Sequence, residues 1–432
     1  MKRGIPPKAD GGTPPSLLRF STANPDKTTR QKATLSLLPF LFLFAIPSLS
    51  LLPHASACLL SLLLLLLALG LFQNGKALTH LPSSLWLLGG FFLLGALSPL
   101  LLLEDASALL PLLCFLAALL PFLLPHSPTA LLRLYGLLGG VLGVFALLSL
   151  LTGGGAQGFI DASHSYAAFG RSAVFFGNPN LLAAFLLPSV PGNLFALSKE
   201  AGRWRLLFLL SLLFSLLGLA LTLCRGAWLA AALGALLFLS LRQKSLFPFA
   251  LALSLLPAFF IVMPAAFTER LLAILRGDSS VSYRLTLWRS LLSLPPSFYL
   301  LGVGEGKRAF IRFLLPHLAA GLERVEHTHS VFLHLLITEG IGGLLTLLYT
   351  CAKALLSPLP LAERETALAL RCALLSLLLF GLSDDLLYAT QTGVIFCWLL
   401  GVNLSLQSSL PSFFPSFFFF RRRPAKEKGR SR

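Results

Sequence analysis

Charged side chains are scarce in this chain of 432 residues: 12% of the residues are charged, whereas 56% are hydrophobic. A soluble globular protein is excluded, because such proteins contain about 25% charged residues and need them on the folded surface. β-Branched residues are also sparse beside leucine, which disfavours the short alternating strands of a membrane β-barrel. Both shortages together predict a protein that crosses a membrane with α-helices.

Signatures of metal-binding or disulfide-linked proteins are also missing. All six cysteines lie in or beside apolar runs, and no two of them have the spacing of a metal site. We interpret them as small core residues. The predicted outer side also lacks a D-x-D-like carboxylate pair that could hold Mg²⁺ against a diphosphate.

The apolar residues occur in long runs, such as Leu59 to Phe72, Leu206 to Leu223 and Thr366 to Leu382. A helix of about 20 apolar residues crosses the ~30 Å hydrocarbon core of a membrane. The runs and their flanks predict an all-α, polytopic transmembrane bundle of about twelve spans. These spans lie near residues 35–52, 55–72, 85–103, 106–124, 134–152, 180–197, 206–223, 227–241, 246–266, 330–352, 367–383 and 386–406.

The positive charge is concentrated at the two ends of the chain. The formal net charge is +17, and residues 1–33 and 421–432 together hold eleven of these excess charges. Nucleic acid is not the predicted partner, because both basic tails flank hydrophobic spans. The pattern instead follows the positive-inside rule and predicts a bacterial inner-membrane protein with both termini in the cytoplasm. The predicted organisation is tails at 1–33 and 408–432, bundle segments at 34–266 and 330–407, and a large periplasmic loop at 267–329.

The predicted periplasmic loop is rich in arginine and lysine, against the usual trend for outer loops. Long loops can escape that trend, which is one explanation. The other is an anionic ligand such as a diphosphate or an acidic glycan, since the planar guanidinium binds phosphate oxygens in pairs. The basic residues are Arg270, Arg276, Arg284, Arg289, Lys307, Arg308, Arg312 and Arg324.

An amphipathic helix is predicted to begin near Ser282 and to end at Pro295-Pro296. Its residues Trp288, Leu291 and Leu292 are expected on the bilayer, with Arg284 on another side. The glycines that follow, Gly302 to Gly306, lack the spacing and the βαβ context of a nucleotide-binding loop, so we expect a tight turn there.

Histidines lie at the outer end of the tenth predicted span. His329 has the ordinary acidity of a general base that works near neutral pH. His327 and His329 are also spaced i, i+2, which is a weak signal for a metal site. A third reading is that His329 is simply an interfacial residue.

Arg225 stands between two long apolar runs, where a charge is costly unless it snorkels or binds an anion. It is either an interfacial anchor beside Trp228 or a functional residue. Arg171 is a second candidate of the same kind. Asn178 and Asn180 are candidate ligands, although they can also cap and turn the chain into the sixth span.

Five short motifs occur in an order that resembles the O-antigen ligase and O-antigen polymerase superfamily of bacterial membrane glycosyltransferases, most closely the ligases. The resemblance covers roughly residues 177–343. The motifs are Gly177-Asn178-Pro179-Asn180, Cys224-Arg225-Gly226-Ala227, Tyr283-Arg284 with Trp288, Gly302-Val303-Gly304, and His329-Ser330 followed by Gly340 and Gly343.

The resemblance implies that Arg225, Arg284 and His329 are the catalytic residues. It implies transfer of a glycan from a polyprenyl-diphosphate carrier to an acceptor, with lipid A core expected, and no metal or other cofactor. Arg171, Arg289, Asn178, Asn180 and His327 are expected to help bind the substrates. Membrane lipids are the remaining expected partners.

Other readings differ in the acceptor or in the class of protein. An O-antigen polymerase or a protein O-glycosyltransferase would use the same donor chemistry. A flippase or other transporter for lipid-linked glycans is the alternative from another class. The spans look nearly free of charge, which argues against a transporter, because transporters place ionisable residues or helix breaks near the bilayer midplane.

Overall fold

The structure is a computed structural model that describes residues 38–39, 41–48, 54–152, 171–262, 279–322, 325–359 and 363–407. Within these ranges the chain forms helices and no β-strand, which confirms the predicted all-α fold. The predicted basic tails lie outside the described residues.

The first four long helices follow the predicted apolar runs closely. In α3, α-helical and 3₁₀ turns alternate, and each α-helical piece has a proline in its first turn, where the missing N–H breaks no hydrogen bond. Ser127 caps α4 by accepting a hydrogen bond from the backbone N–H of Ala130. The four helices are α1 (Ala55–Asn74), α2 (Ser83–Leu103), α3 (Ala106–Leu123) and α4 (Pro128–Leu151).

The middle of the chain packs tightly against α4. Glycines along one face of α4 lie against α7, and a Cβ atom at Gly143 would clash with the Phe214 carbonyl. Small residues allow helices to approach closely inside membranes. The predicted sixth span is interrupted after Leu186. The helices are α5 (Pro179–Leu186), α6 (Ser189–Lys199), α7 (Gly202–Leu221), α8 (Arg225–Gln243) and α9 (Phe247–Val262).

The predicted outer loop folds around a small hydrophobic core of its own. Leu287, Leu291, Phe310 and Leu314 are buried there. The prediction that Leu291 lies on the bilayer is therefore wrong, because Leu291 is fully buried. Trp288 packs partly on this core, whereas Leu292 is exposed. The helices of this half are α10 (Ser279–Leu292), α11 (Pro296–Leu301), α12 (Val331–Thr338), α13 (Gly340–Leu356), α14 (Arg364–Gly381) and α15 (Thr390–Ser405).

The predicted span 330–352 is not one helix but two, broken at Glu339. Gly340 has φ +71°, a conformation that side chains other than glycine rarely adopt. The break leaves two backbone carbonyls without helical partners, and both accept hydrogen bonds from the glycine-rich segment Gly302 to Gly306. Val303 N–H donates to Ile337 O (2.8 Å) and Gly304 N–H donates to Thr338 O (2.9 Å). The glycine segment is thus pinned against the break instead of forming an isolated turn.

Seven stretches of the described chain, with α5 and α6 counted as one, are long and apolar enough to cross a membrane. The helices α9, α13 and α15 are shorter, and α14 carries charged residues near its start. The predicted number of twelve spans therefore stays a prediction.

Charged residues pair at one end of the bundle. Arg133 contacts Glu200 at 2.5 Å, and Glu365 accepts both Lys199 and Arg242 at 3.2 Å. Because α14 runs from Glu365 towards residue 381, the loop that follows it lies at the opposite end. The candidate site is built there.

Candidate active site

A chain of polar contacts centres on Asp384, in the loop between α14 and α15. Asn180 Nδ2 donates to Asp384 Oδ2 at 2.6 Å, and Arg284 Nη2 lies 3.9 Å from the same oxygen. Arg171 Nη2 donates to Asn180 Oδ1 (3.0 Å), and its Nε donates to Thr222 O (2.9 Å). Three predicted site residues are therefore joined through one carboxylate.

Asn178 supports this arrangement as the N-cap of α5. Its Oδ1 accepts the backbone N–H of Asn180 at 2.8 Å. An N-cap of this kind fixes the start of a helix, and here it fixes the residue that contacts Asp384. The structure thus gives Asn178 a role in orienting Asn180.

Arg225 is the first residue of α8, and it is half-buried. Its neighbour Gly226 faces the loop that carries Asp384: a Cβ atom there would lie 2.5 Å from Ser383 Oγ. This close approach places Arg225 beside the same loop as Arg284 and Asn180.

The two predicted histidines form a pair. His327 Nε2 and His329 Nδ1 lie 3.1 Å apart, and the His327 ring stacks on Tyr388 with centroids 4.0 Å apart. Tyr283 meets the His329 ring edge-on at 6.3 Å. His329 has φ +53°, an unusual backbone conformation for a residue with a side chain. Trp288 Nε1 donates to Thr328 O at 3.0 Å and so ties α10 to this turn.

Burial keeps both histidines neutral. It is the main cause that lowers the pKa of His329 to about 3, and the nearby His327 and Arg284 lower it further, while Asp385 opposes them. Burial likewise lowers the pKa of His327. A neutral imidazole has one nitrogen that accepts a proton. The pKa of His329 thus differs from the ordinary acidity predicted from the sequence, and the neutral pair presents an unprotonated ring nitrogen beside the Arg284 guanidinium.

Residues 210–348 match the sequence model of a family described as O-antigen ligase. This part of the chain is similar to O-antigen ligases. The match covers roughly a third of the chain, and no curated protein gives a significant match. The predicted resemblance is confirmed. The match supports a membrane protein with a glycosyltransferase-like function in O-antigen or polysaccharide assembly. Proteins of this family act on a lipid-linked glycan and an acceptor.

The matched range contributes only part of the candidate site. Arg225, Arg284, His327 and His329 lie inside the matched range, between α7 and α13. Other members come from outside it, on segments that the fold brings to the same end of the bundle. These members are Arg171, Asn178, Asn180, Asp384, Asp385 and Tyr388.

A buried ion cluster lies beneath the histidine pair. His334 Nε2 contacts Glu305 Oε2 at 2.9 Å, and His334 Nδ1 lies 2.8 Å from Asp385 Oδ2. Thr338 Oγ1 donates to Glu305 Oε1 at 2.9 Å. Burial favours the neutral form of Asp385, but the contact with His334 outweighs it and lowers the pKa of Asp385. Of these two neighbouring aspartates, Asp384 thus contacts Arg284, and Asp385 contacts His334.

Sequence reasoning missed this cluster. The prediction that the spans are nearly free of charge is wrong for the tenth span, where His334 and Glu339 are both buried. Ionisable residues inside a membrane span are rare and usually functional. His334 and Glu339 were therefore the residues in the sequence from which this cluster could have been predicted. Glu305 reaches them because its N–H donates to Gly95 O (2.9 Å) on α2.

One predicted residue does not join the site. Arg289 is exposed on α10, five residues beyond Arg284, and within the described ranges it makes no contact with the other candidate residues. Five residues along a helix turn a side chain by about 140°, away from the Arg284 face.

His327, His329 and Asp384 each present one ligand atom, and these atoms lie within 4.8 Å of one another. This spacing suits a metal cation. However, the Asp384 carboxylate already contacts Asn180 and Arg284.

Proposed function

We propose that this chain transfers a glycan from a polyprenyl-diphosphate carrier to an acceptor, with lipid A core expected, at the periplasmic face of the bacterial inner membrane. Both termini would then lie in the cytoplasm. The observation that carries the proposal is the meeting of Arg284 and the neutral His327–His329 pair around one loop, beside Arg225, at a single end of the bundle.

Arg225 and Arg284 would hold the diphosphate of the donor. Guanidinium groups bind phosphate oxygens through paired, charge-assisted hydrogen bonds. As the bond between the anomeric carbon and the diphosphate breaks, negative charge grows on the leaving oxygen, and fixed cations stabilise it. Arg171 would support this set through Asn180, which shares Asp384 with Arg284.

His329 would accept the proton of the acceptor hydroxyl as that oxygen attacks the anomeric carbon. This role requires one tautomer of the pair: the His329 Nδ1–H donates to His327 Nε2 and leaves His329 Nε2 unprotonated. His327 is therefore a positioning residue that selects the reactive nitrogen. The proton ends on His329, and the electron pair of the broken bond ends on the diphosphate.

Arginine would supply the positive charge that a metal supplies in other glycosyltransferases. Two observations support this part of the proposal. Arg284 already competes for the Asp384 carboxylate, and a cation bound to His329 would occupy the lone pair needed for proton transfer. We therefore propose a reaction that needs neither a metal nor another cofactor.

An O-antigen polymerase or a protein O-glycosyltransferase would use the same donor site and differ only in the acceptor. One observation favours the transporter alternative, namely the broken helix α12–α13 with buried charges beside the break. The family match to O-antigen ligase favours transfer.

The test uses the full chain in liposomes that contain a polyprenyl-diphosphate-linked glycan and candidate acceptors. Variants Arg225→Ala, Arg284→Lys and His329→Ala should insert normally and lose transfer. Arg289→Ala, on the same helix as Arg284 but exposed, is the matched control and should keep it. Wild-type rates in Arg284→Lys and His329→Ala would refute the assignment. A wild type that moves the glycan between leaflets without transferring it would establish a flippase.

A further inference from the structure

A second polar site lies at the end of α2 and is built from residues other than those assigned to glycan transfer. A cavity of about 350 Å³ opens there between the last turn of α2 and the helical segment that begins at Lys307. Its lining combines two guanidinium groups with apolar side chains. The lining residues are Leu102, Leu103, Glu104, Arg308, Ile311 and Arg312.

Arg308 is held in place by the end of α2. Its backbone N–H donates to Asp105 Oδ2 (2.6 Å), and its Nη1 donates to Leu103 O (2.7 Å) and Glu104 O (3.2 Å). A guanidinium has five N–H groups, so the donors on Nη2 and Nε remain for a ligand. Among the described residues, no carboxylate forms an ion pair with Arg308.

Arg312 lies one turn further along, in the π-helical turn Phe310–Leu314. Such turns are rare and frequently occur at functional sites. Arg312 is exposed and lies 5.9 Å from the Phe313 ring, and no ion pair to it occurs in the described part of the chain. Two cations thus line one cavity; the exposed Glu104 carboxylate also lines it, but among the described residues it forms no ion pair with either arginine.

Apolar side chains lie directly beside these cations. Leu101 and Leu102, in the last turn of α2, are 71% and 76% exposed, and Ile311 and Phe313 are also exposed. The sequence of α2 is apolar enough to cross a membrane. Hydrocarbon along Leu101 and Leu102 and cations at the end of the helix match the two parts of a lipid, its acyl chain and its phosphate.

We propose that Arg308 and Arg312 bind the headgroup phosphate of an anionic lipid at a site separate from the Arg225 and Arg284 diphosphate site. A free phosphate would make no apolar contact with the exposed leucines. A lipid is therefore the occupant that both the arginines and the apolar side chains of the cavity favour. This inference does not depend on the proposed transfer reaction.

The site borders the histidine pair through one short chain of contacts. Lys307, next to Arg308, contacts Glu326 at 2.5 Å. Tyr388 Oη donates to Glu326 at 2.9 Å, and the Tyr388 ring stacks on His327. A bound lipid would therefore steady the segment that holds His327.

The test measures lipid binding by the purified full chain in detergent, using native mass spectrometry with phosphatidylglycerol and, separately, phosphatidylcholine. Wild type should retain phosphatidylglycerol in preference to phosphatidylcholine. The Arg312→Gln variant, which leaves the Arg308 contacts to α2 intact, should bind phosphatidylglycerol roughly tenfold more weakly. Arg308→Gln combined with Arg312→Gln should abolish the preference.

The matched control is Arg203→Gln with Arg205→Gln, an exposed arginine pair at the opposite end of the bundle, which should bind as wild type does. Equal affinity for both lipids, or unchanged affinity in Arg312→Gln, would overturn the proposal. Soluble glycerol phosphate that displaces the lipid at equal concentration would also overturn it, because it would show a site for free phosphate.

Discussion

Replacing His334 with alanine should destabilise the protein more than breaking any exposed ion pair. His334 lies between Glu305 at 2.9 Å and Asp385 at 2.8 Å, and the side chains of these carboxylates are 1% and 0% exposed. Removing one partner of a buried ion pair costs about 3–5 kcal/mol, because the remaining charge stays buried without compensation. Two carboxylates are left here, so we expect a loss of about 5 kcal/mol.

The assay is unfolding of the full chain in mixed micelles with increasing sodium dodecyl sulfate, followed by circular dichroism. Glu365→Gln is the control: it breaks two ion pairs, but Glu365 is 35% exposed, so the loss should stay below about 1 kcal/mol. Adding Glu305→Gln and Asp385→Asn to His334→Ala should restore part of the stability, because the uncompensated charges are removed. Equal losses in His334→Ala and Glu365→Gln, or no recovery in the triple variant, would refute this reasoning.

Three further predictions concern the histidine pair and the helix break. His327→Gln should keep most of the transfer rate, since its amide oxygen can accept the Nδ1–H of His329, whereas His327→Ala should lose roughly tenfold or more in kcat; equal rates in the two variants would contradict the tautomer assignment. Transfer by the wild type should stay level from pH 8 to about pH 5.5, because the pKa of His329 is lowered to about 3 and its neutral form persists. An ordinary histidine would be mostly protonated at pH 5.5, so a rate that halves near pH 6.5 would contradict the lowered pKa of His329. Gly340→Ala should cost about 1–2 kcal/mol for the left-handed backbone alone, and more because its Cβ would lie 2.5 Å from Leu300 O; Gly90→Ala, which meets open space, is the control in the same unfolding assay.

The sequence predicted well the features that depend on local pattern. Apolar runs located most helices to within a few residues, because a membrane span needs a continuous apolar stretch whatever its neighbours are. Arg225, Arg284 and His329 were found because each stands in a short motif of fixed order. The structure places all three at one end of the bundle.

Features that depend on distant partners were not predicted. A lone glutamate in a glycine-rich segment does not reveal that Glu305 will contact His334 and Thr338. The helical periodicity around Leu291 correctly indicated an apolar face, but bilayer and protein core are both apolar, so the pattern could not tell them apart. Gly340 likewise gave no sign of its left-handed backbone, since a glycine that only allows close packing looks the same in sequence.

The ion cluster joins segments that are synthesised far apart in time. Glu305 and His334 lie inside the matched range, residues 210–348, whereas Asp385 follows it and Gly95, whose carbonyl accepts the Glu305 N–H, precedes it. Helices enter the membrane in order from the amino end. Glu305 and His334 therefore enter the membrane before Asp385, the second carboxylate of the cluster, has been synthesised. A fragment limited to residues 210–348 would therefore lack both the Gly95 carbonyl that anchors Glu305 and the Asp385 carboxylate that contacts His334.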